Sequence, residues 1–460
     1  MKQYTKRLTG LAVAAALAAP AAALATNGYF AHGYGTQNKG LAGAGAALPQ
    51  GTIAAATNPA GMVFVGGGAD LGAALFSPRR KYTAGPATAP ADGTPCPGTG
   101  CPFTIGGNTG NQSIESDNEY FLIPHFGYNK MLDAQSSFGV TVYGNGGMNT
   151  EYNGGQAQHD DGSAFPAPGN LTTTPGTFGA GTAGVDLAQL FVAATYSRKF
   201  SPTASWGASL IAAYQQFEAK GLGTFAGASK YGANVSDKGR DTSTGFGAKF
   251  GIQGEVSPGL TLAASYQTKM SMSEFDKYKG LFAEGGDFDI PSTWTIGLAY
   301  KVTPNSVLAF DIQRINYTDV KSVSNPMFPA LNNCGNGTGD VEQCLGGSNG
   351  PGFGWDDMTV YKLGYQWQGQ PGWTWRVGFS TGSQPIPESE VLFNILAPGV
   401  MEEHITFGFT KEMGPNNALS FSALYAPTVE VSGQNPLNPS QKITLEMDQI
   451  ELELSYSWKF

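Results

Sequence analysis

His159-Asp160-Asp161 and Glu402-Glu403-His404 are the two places in this 460-residue chain where an imidazole stands beside carboxylates, the grouping that metal binding or proton transfer requires. The other histidines, His32 and His125, stand apart from both. None of the four histidines lies in an H-E-x-x-H pattern or in a nucleophile motif of the G-x-S-x-G kind, so neither a zinc hydrolase nor a nucleophile elbow is built around one. Solvation of a polar loop accounts for "HDD" more simply than a bound cation does. The sequence points to no catalytic residue, no metal and no cofactor, and so to a protein that is not an enzyme.

The cysteines form two close pairs, Cys96 with Cys101 in "CPGTGC" and Cys334 with Cys344 in "CGNGTGDVEQC". Of the three possible pairings, local disulfides 96 to 101 and 334 to 344 are preferred; metal binding is the weaker alternative, since no histidine lies near either pair. Export makes disulfides permissible, and the N-terminus has the marks of export. Lys2, Lys6 and Arg7 precede the apolar run 11 to 25, which ends in Ala23-Leu24-Ala25, so residues 1–25 read as a cleaved signal peptide. Cleavage takes the formal charge from −9 to −12, and an acidic chain without basic runs does not suit nucleic acid.

Binding chemistry is better represented. Two stretches carry apolar side chains inside polar, proline-bearing segments: "NPMFPAL" with Met327, Phe328 and Leu331, and "VLFNILAPGV" with Leu392, Phe393, Ile395 and Leu396. Such loops either capture a hydrophobic ligand or pack on one another. Lys362 and Arg376 fall on the polar face of alternating strands, where the turn near 369 would set them almost opposite each other; they could hold a carboxylate, or belong to a structural network with Asp311.

These residues are positioned by strands that alternate strictly. From Ile450, the even positions to Phe460 are Ile, Leu, Leu, Tyr, Trp and Phe, and the odd ones are polar. That is period two with one wholly apolar face. The same pattern recurs at Tyr120, Leu122, Phe126, Tyr128; at Trp294, Ile296, Leu298, Tyr300; at Trp373, Trp375, Val377, Phe379; and at Ile405, Phe407, Phe409. Charged residues make up 13% of the chain, about half the soluble average of roughly 25%, yet no mature segment has the ~20 apolar residues of a spanning helix. Strands that are apolar toward lipid and polar toward a lumen satisfy both facts.

Connectors sort into two kinds. Six are short, near 130, 199, 256, 302, 368 and 412, and seven are long, roughly 83 to 117, 149 to 186, 221 to 241, 274 to 290, 320 to 355, 385 to 400 and 433 to 445. Thirteen connectors predict an all-β membrane protein, a 14-stranded antiparallel transmembrane β-barrel, with short periplasmic turns, long extracellular loops and both termini periplasmic. Residues 26–64 do not alternate. Their Ala and Gly content suits tight backbone packing, with short helices near 40 to 48 and 51 to 57 and a turn at Asn58, Pro59, Ala60 and Gly61, so they read as a hatch inside the lumen ahead of a barrel over 65–460.

"NGYFAHGYGTQNKGLAGAGAAL", "AAATNPAGM", "PHFGYN", "SQPIPESEVLFNILAPGV" before "HITFGFTKEM", and the terminal "LSYSWKF" together resemble the long-chain fatty acid transporter family of the outer membrane, the FadL and TodX type. The likeness spans essentially the whole mature chain. It implies passive outer-membrane transport of hydrophobic molecules, long-chain fatty acids or aromatic hydrocarbons, caught by extracellular loops. They would pass a gating hatch, with Asn58 to Gly61 where hatch meets barrel, and leave sideways at a kink in the third strand, here at Gly144, Gly146 and Gly147. It also implies a monomer in the outer membrane of a Gram-negative bacterium, in contact with lipid and lipopolysaccharide, whose terminal Phe460 is read by the barrel assembly machinery. The Cys-bearing loops and the long 149 to 186 loop depart from the fatty acid members. A general diffusion porin or a structural, adhesive barrel is the alternative, but a porin has no use for a plug or for apolar loops.

Overall fold

The computed structural model describes residues 27–87, 103–160, 171–328, 330–334 and 339–460. The signal peptide expected over 1–25 and the pair Cys96 and Cys101 lie outside the described residues.

Among the described residues, fourteen long antiparallel strands follow one another round a closed sheet: β1 (Gly68–Pro86), β2 (Phe121–Met131), β3 (Ser136–Tyr152), β4 (Ala183–Ser201), β5 (Ala204–Lys220), β6 (Asp241–Ser257), β7 (Leu260–Gln267), β8 (Thr293–Thr303), β9 (Ser306–Ile315), β10 (Met358–Gln368), β11 (Trp373–Gly382), β12 (Glu403–Glu412), β13 (Asn417–Asn435) and β14 (Asn438–Lys459). Closure comes from β14 pairing with β1, from Gly68↔Lys459 to Ala84↔Ile443. Closure leaves no open edge, which is what a sheet in lipid requires. It also explains the apolar last strand: Leu454 is 51% exposed on the outer wall, while Glu453 beside it is 2% exposed and faces the lumen. Every alternating set named from the sequence presents its apolar members outward.

All six short turns fall where the sequence placed them. The seventh long connector does not exist as a loop. Residues 433 to 445 continue β13 and β14 into a projecting hairpin that turns at Pro436-Leu437, with register shifts at Ala426/Val429 and Gln434/Asn435. Gly and Pro there accommodate bulges and a close neighbour: a Cβ on Gly433 would sit 1.7 Å from the Glu388 carbonyl oxygen. The 83 to 117 and 149 to 186 connectors are also more regular than expected. Gly110–Glu115 extends the barrel wall by pairing with β1, and Thr104–Ile105, Gln156–Asp160 and Leu171–Pro175 form a small separate sheet.

Residues 27–65 are mostly buried and hydrogen-bond to inward-facing side chains from all round the sheet: Asp70 of β1, Ser197 of β4, Ser205 of β5, Ser265 of β7, Asp311 of β9, Thr406 of β12 and Ser420 of β13. A segment with partners on so many strands lies within the ring they form. Its helices are single turns, Thr36–Lys39 and Met62–Val65, with 3-10 turns at Ala54–Ala56 and Pro59–Gly61. The helix expected near 40 to 48 is instead a run of turns, because Ala42 and Gly43 take left-handed backbone angles (φ 52° and 80°).

Candidate functional site: cavities beside an interrupted strand pair

The loop residues singled out from the sequence gather at one end of the barrel. Met327, Leu331, Leu392, Ile395 and Leu396 are buried in one apolar cluster, with Phe328 and Phe393 partly buried against it. Most of them therefore serve loop packing. Phe393 and Leu396 also line a cavity with Phe217, Phe225, Leu345 and Phe353, about 490 Å³ of empty space including its open mouth. The Phe393 and Phe225 rings meet edge to face at 5.4 Å.

A strap holds Leu345 over this cavity. Cys344 is disulfide-bonded to Cys334, as expected. Leu345 N donates to the Ala228 carbonyl at 3.0 Å and its carbonyl accepts from Lys230 N at 2.9 Å. Lys230 pairs with Glu342, whose carboxyl is held well below the usual range by Lys230 and by Ser348. The wall opposite is shared: segments 353–355 and 396–399 separate the loop cavity from a second, narrow one lined by Phe76, Arg80, Met148, Asn149, Trp355 and Pro398, with about 310 Å³ of empty space including its open mouth.

Below lies an interruption in the barrel wall. β2 pairs with β3 only from Met131↔Ser137 to Phe126↔Val142, although β2 continues along β1 to Phe121↔Phe76 and β3 continues along β4 to Tyr152↔Ala183. The cause is a bulge in β3: Gly144 pairs with Leu190 and Gly146 with Gln189, which leaves Asn145 as the extra residue. The N-terminal segment takes up the freed backbone groups. Ala31 N donates to the Asn145 carbonyl and Gly147 N to the Tyr29 carbonyl, each at 2.9 Å. Gly146 is required there, since a Cβ would lie 2.0 Å from Tyr29 O. A third cavity sits in the interruption, lined by Ile123, Pro124 and His125 of β2, Tyr143 and Gly144 of β3, and Lys39.

Charges in the lumen are engaged by the N-terminal segment. Lys39 Nζ lies 2.8 Å from Glu451 Oε1 and 2.7 Å from Glu453 Oε2, and His125 Nδ1 lies 3.3 Å from Glu453 Oε1. Burial opposes the Lys39 charge, but Glu451 and Glu453 prevail and raise its pKa above the usual value. Lys362 Nζ donates to the His32 carbonyl at 2.7 Å, and Arg376 holds Gln50 Oε1 through Nε and Nη2 at 2.9 and 2.6 Å. These two cations are not opposite each other: Lys362 faces Ser380 on one side and Asp311 on the other, while Arg376 faces Gln366. Asp311 in turn accepts from Gly45 N and Ala46 N. His32 stacks on His404 at 5.9 Å, and burial, with Lys39, His404 and Lys362 around it, holds its imidazole well below its usual pKa.

Asn58 caps the Pro59–Gly61 turn by accepting from Ala60 N at 3.0 Å, and donates to the Ala46 carbonyl at 2.8 Å. Missing from the sequence reading were Lys39, Glu451 and Glu453. The signal was present, because Lys39 is the one Lys or Arg between residues 26 and 64 and the two glutamates point inward from the last strand.

No protein-family model matches the sequence, and no curated protein does. Solved structures do. The chain aligns with the toluene transporter TodX of P. putida at TM-score 0.61 and 17% identity, over 93% of this chain and 99% of that one. With the Ralstonia pickettii toluene transporter TbuX the values are 0.55, 16%, 93% and 99%, and with a Pseudomonas aeruginosa FadL homologue 0.62, 14%, 94% and 100%. The chain therefore has the fold of the FadL and TodX type of barrel, the architecture that its sequence resemblance implied.

Proposed function

We propose that this protein is a passive conduit through the outer membrane of a Gram-negative bacterium for hydrophobic molecules, aromatic hydrocarbons or long-chain fatty acids. Extracellular loops capture the molecule, with Phe328, Leu331, Leu392, Phe393, Ile395 and Leu396 forming or supporting the landing surface. The molecule then passes inward along the three cavities. Residues 26–64 act as the hatch, anchored at Asn58, Pro59, Ala60 and Gly61, and release is lateral, at the bulge of Gly144, Gly146 and Gly147. Both termini are periplasmic, the barrel works as a monomer, and Phe460 is the mark read by the assembly machinery. Lys362 and Arg376 act from the barrel wall, holding the hatch through His32 and Gln50 until a ligand arrives.

The observation that carries this reading is the end of β2–β3 pairing at Phe126↔Val142 with a cavity in the interruption. A hydrophobic molecule gains nothing by crossing into aqueous periplasm, whereas a side opening delivers it to lipid. The toluene transporters TodX and TbuX, which share the fold, favour aromatic hydrocarbons. A diffusion porin is disfavoured by the buried segment 27–65. The test is uptake of labelled toluene and labelled oleate by a deletion strain with and without this gene. Restored uptake of either supports the conduit; no uptake, with a large steady conductance in planar bilayers, supports a porin.

A further inference from the structure

We propose that Arg80 ties together the two sides of the interruption in the barrel wall and so limits the size of the molecule that can leave there; this rests on the lateral-release reading above. The interruption has a frame. At its lower end stands Phe126↔Val142, the last pair of β2 with β3. At its upper end, residues 116–118 cross from β1 to β3. Ser116 N donates to the Arg80 carbonyl at 2.8 Å, Asp117 N to the Glu151 carbonyl at 2.9 Å, and Asn118 Nδ2 to Glu151 Oε2 at 3.2 Å. Arg80 spans the upper part of this frame from inside. It points inward from β1 at 5% exposure, and its guanidinium reaches both sides: Nη2 donates to the Asn118 carbonyl, just ahead of β2, and Nη1 to the Asn149 carbonyl of β3.

A backbone carbonyl inside a membrane wall needs a donor, and Asn149 lies beyond the reach of β2. A side chain from β1 takes the place of the missing N–H. Its geometry serves the two carbonyls, since Nε is buried without a partner while both terminal nitrogens are engaged. Arginine suits this task because its planar fork aims two N–H groups in fixed directions, whereas a lysine ammonium is a single point. The Phe121 ring, where β2 begins, lies 5.6 Å from the guanidinium and backs it. Phe76 and Met148 line the same narrow cavity as Arg80, so a molecule moving from there toward the interruption meets the tie itself. Without the fork, the Asn118 and Asn149 carbonyls lose their common partner, and only the bonds of Asp117, Asn118 and Ser116 to Glu151 hold the upper rim. The two sides can then part and admit a broader molecule.

The test has two arms, each run on the full chain with Arg80 intact, Arg80→Met or Arg80→Lys, and with folding checked by the heat-dependent gel mobility of the barrel. The first arm reads the frame. Nitroxide labels on Tyr120→Cys and Val192→Cys, both exposed on the outer wall at either side of the interruption, report their separation by electron double resonance in outer-membrane vesicles. The second arm reads selection, as the uptake of labelled phenanthrene relative to labelled toluene in a deletion strain. The expected result is a longer or broader label distance in Arg80→Met and a phenanthrene-to-toluene ratio raised by about threefold or more, with Arg80→Lys between the two. An unchanged label distance in Arg80→Met, or a ratio that is unchanged or lowered, would show that Arg80 only fills the second cavity and overturn the proposal. If the unsubstituted chain takes up neither tracer, nor oleate, the conduit reading fails and the size limit with it, a failure that the label distances do not share.

Discussion

Lys39 and Glu453 form a buried ion pair, 2.7 Å from Nζ to Oε2, that fastens the N-terminal segment to the last strand beside the interruption between β2 and β3. Thr36 Oγ1 donates to the other oxygen of the same carboxylate at 2.8 Å. Removing one partner from such a pair leaves an unanswered charge, which costs roughly 3–5 kcal/mol. Lys39→Met should therefore free the segment without opening the strand ladder. The expected outcome is a protein with normal gel mobility and raised basal conductance in planar bilayers, and Lys39→Arg should behave as wild type. Wild-type conductance in Lys39→Met would rule this pair out as a fastening.

Asn58 Oδ1 occupies the space that a side chain on Gly251 would need, 1.9 Å from an added Cβ. Loss of the Asn58 cap costs about 1 kcal/mol. Asn58→Ala should leave the barrel folded and alter uptake of a hydrophobic tracer at equal surface expression, and Gly251→Ala should do the same by pushing Asn58 from its seat. If both variants take up tracer as wild type does, the turn at Asn58 to Gly61 has no part in gating.

His32 gives the N-terminal segment a pH dependence. Its pKa in the folded protein is depressed below the free value of about 6.5, so the stability it contributes is complete above that value and lost as pH falls below it. The protection factors of residues 27–48 in hydrogen exchange, taken relative to the intrinsic rate at each pH, should fall between pH 7.5 and pH 5, and His32→Gln should remove most of that change. Wild-type protection factors that are constant across this range would contradict the assignment.

The Cys334–Cys344 disulfide closes a short loop whose next residue, Leu345, lines the outer cavity. Removing a bridge of this kind costs about 2–3 kcal/mol. The double variant Cys334→Ser, Cys344→Ser should make the strap susceptible to added protease while the barrel stays intact, and should change tracer capture more than conductance. An equally resistant strap would show that its backbone pairing to Ala228 and Lys230 suffices alone.

The fold was legible because membrane strands obey a simple rule. Each residue from Ile450 to Phe460 has its side fixed by parity, and turns such as "VSPGL" and "VTPNS" carry their own backbone chemistry. Where parity and turn chemistry conflict, reading fails. Residues 433 to 445 hold Gly433, Pro436 and Pro439, which look like a loop yet lie in and beside a hairpin that absorbs them at its bulges and tip. The candidate site was legible only in outline. Sequence marks Gly144, Gly146 and Gly147 as points of weakness, but not that Asn145 is the extra residue or that Tyr29 and Ala31 bond to the freed backbone. Likewise Lys362 and Arg376 are correctly inward, but register sets them apart and the partners of each come from the N-terminal segment, at sequence distances of more than three hundred residues.

The most direct test of the account is to close the interruption reversibly. Pro124 and Gly144 lie two residues beyond Phe126↔Val142, the last pair of β2 with β3, and both line the cavity in the interruption. Pro124→Cys with Gly144→Cys, cross-linked by a short thiol-cleavable reagent and verified on a gel, should reduce tracer uptake to the level of the deletion strain, with recovery on cleavage and no effect of either reagent on wild type. Unchanged uptake in fully cross-linked protein would mean that the hydrophobic molecule does not leave between β2 and β3.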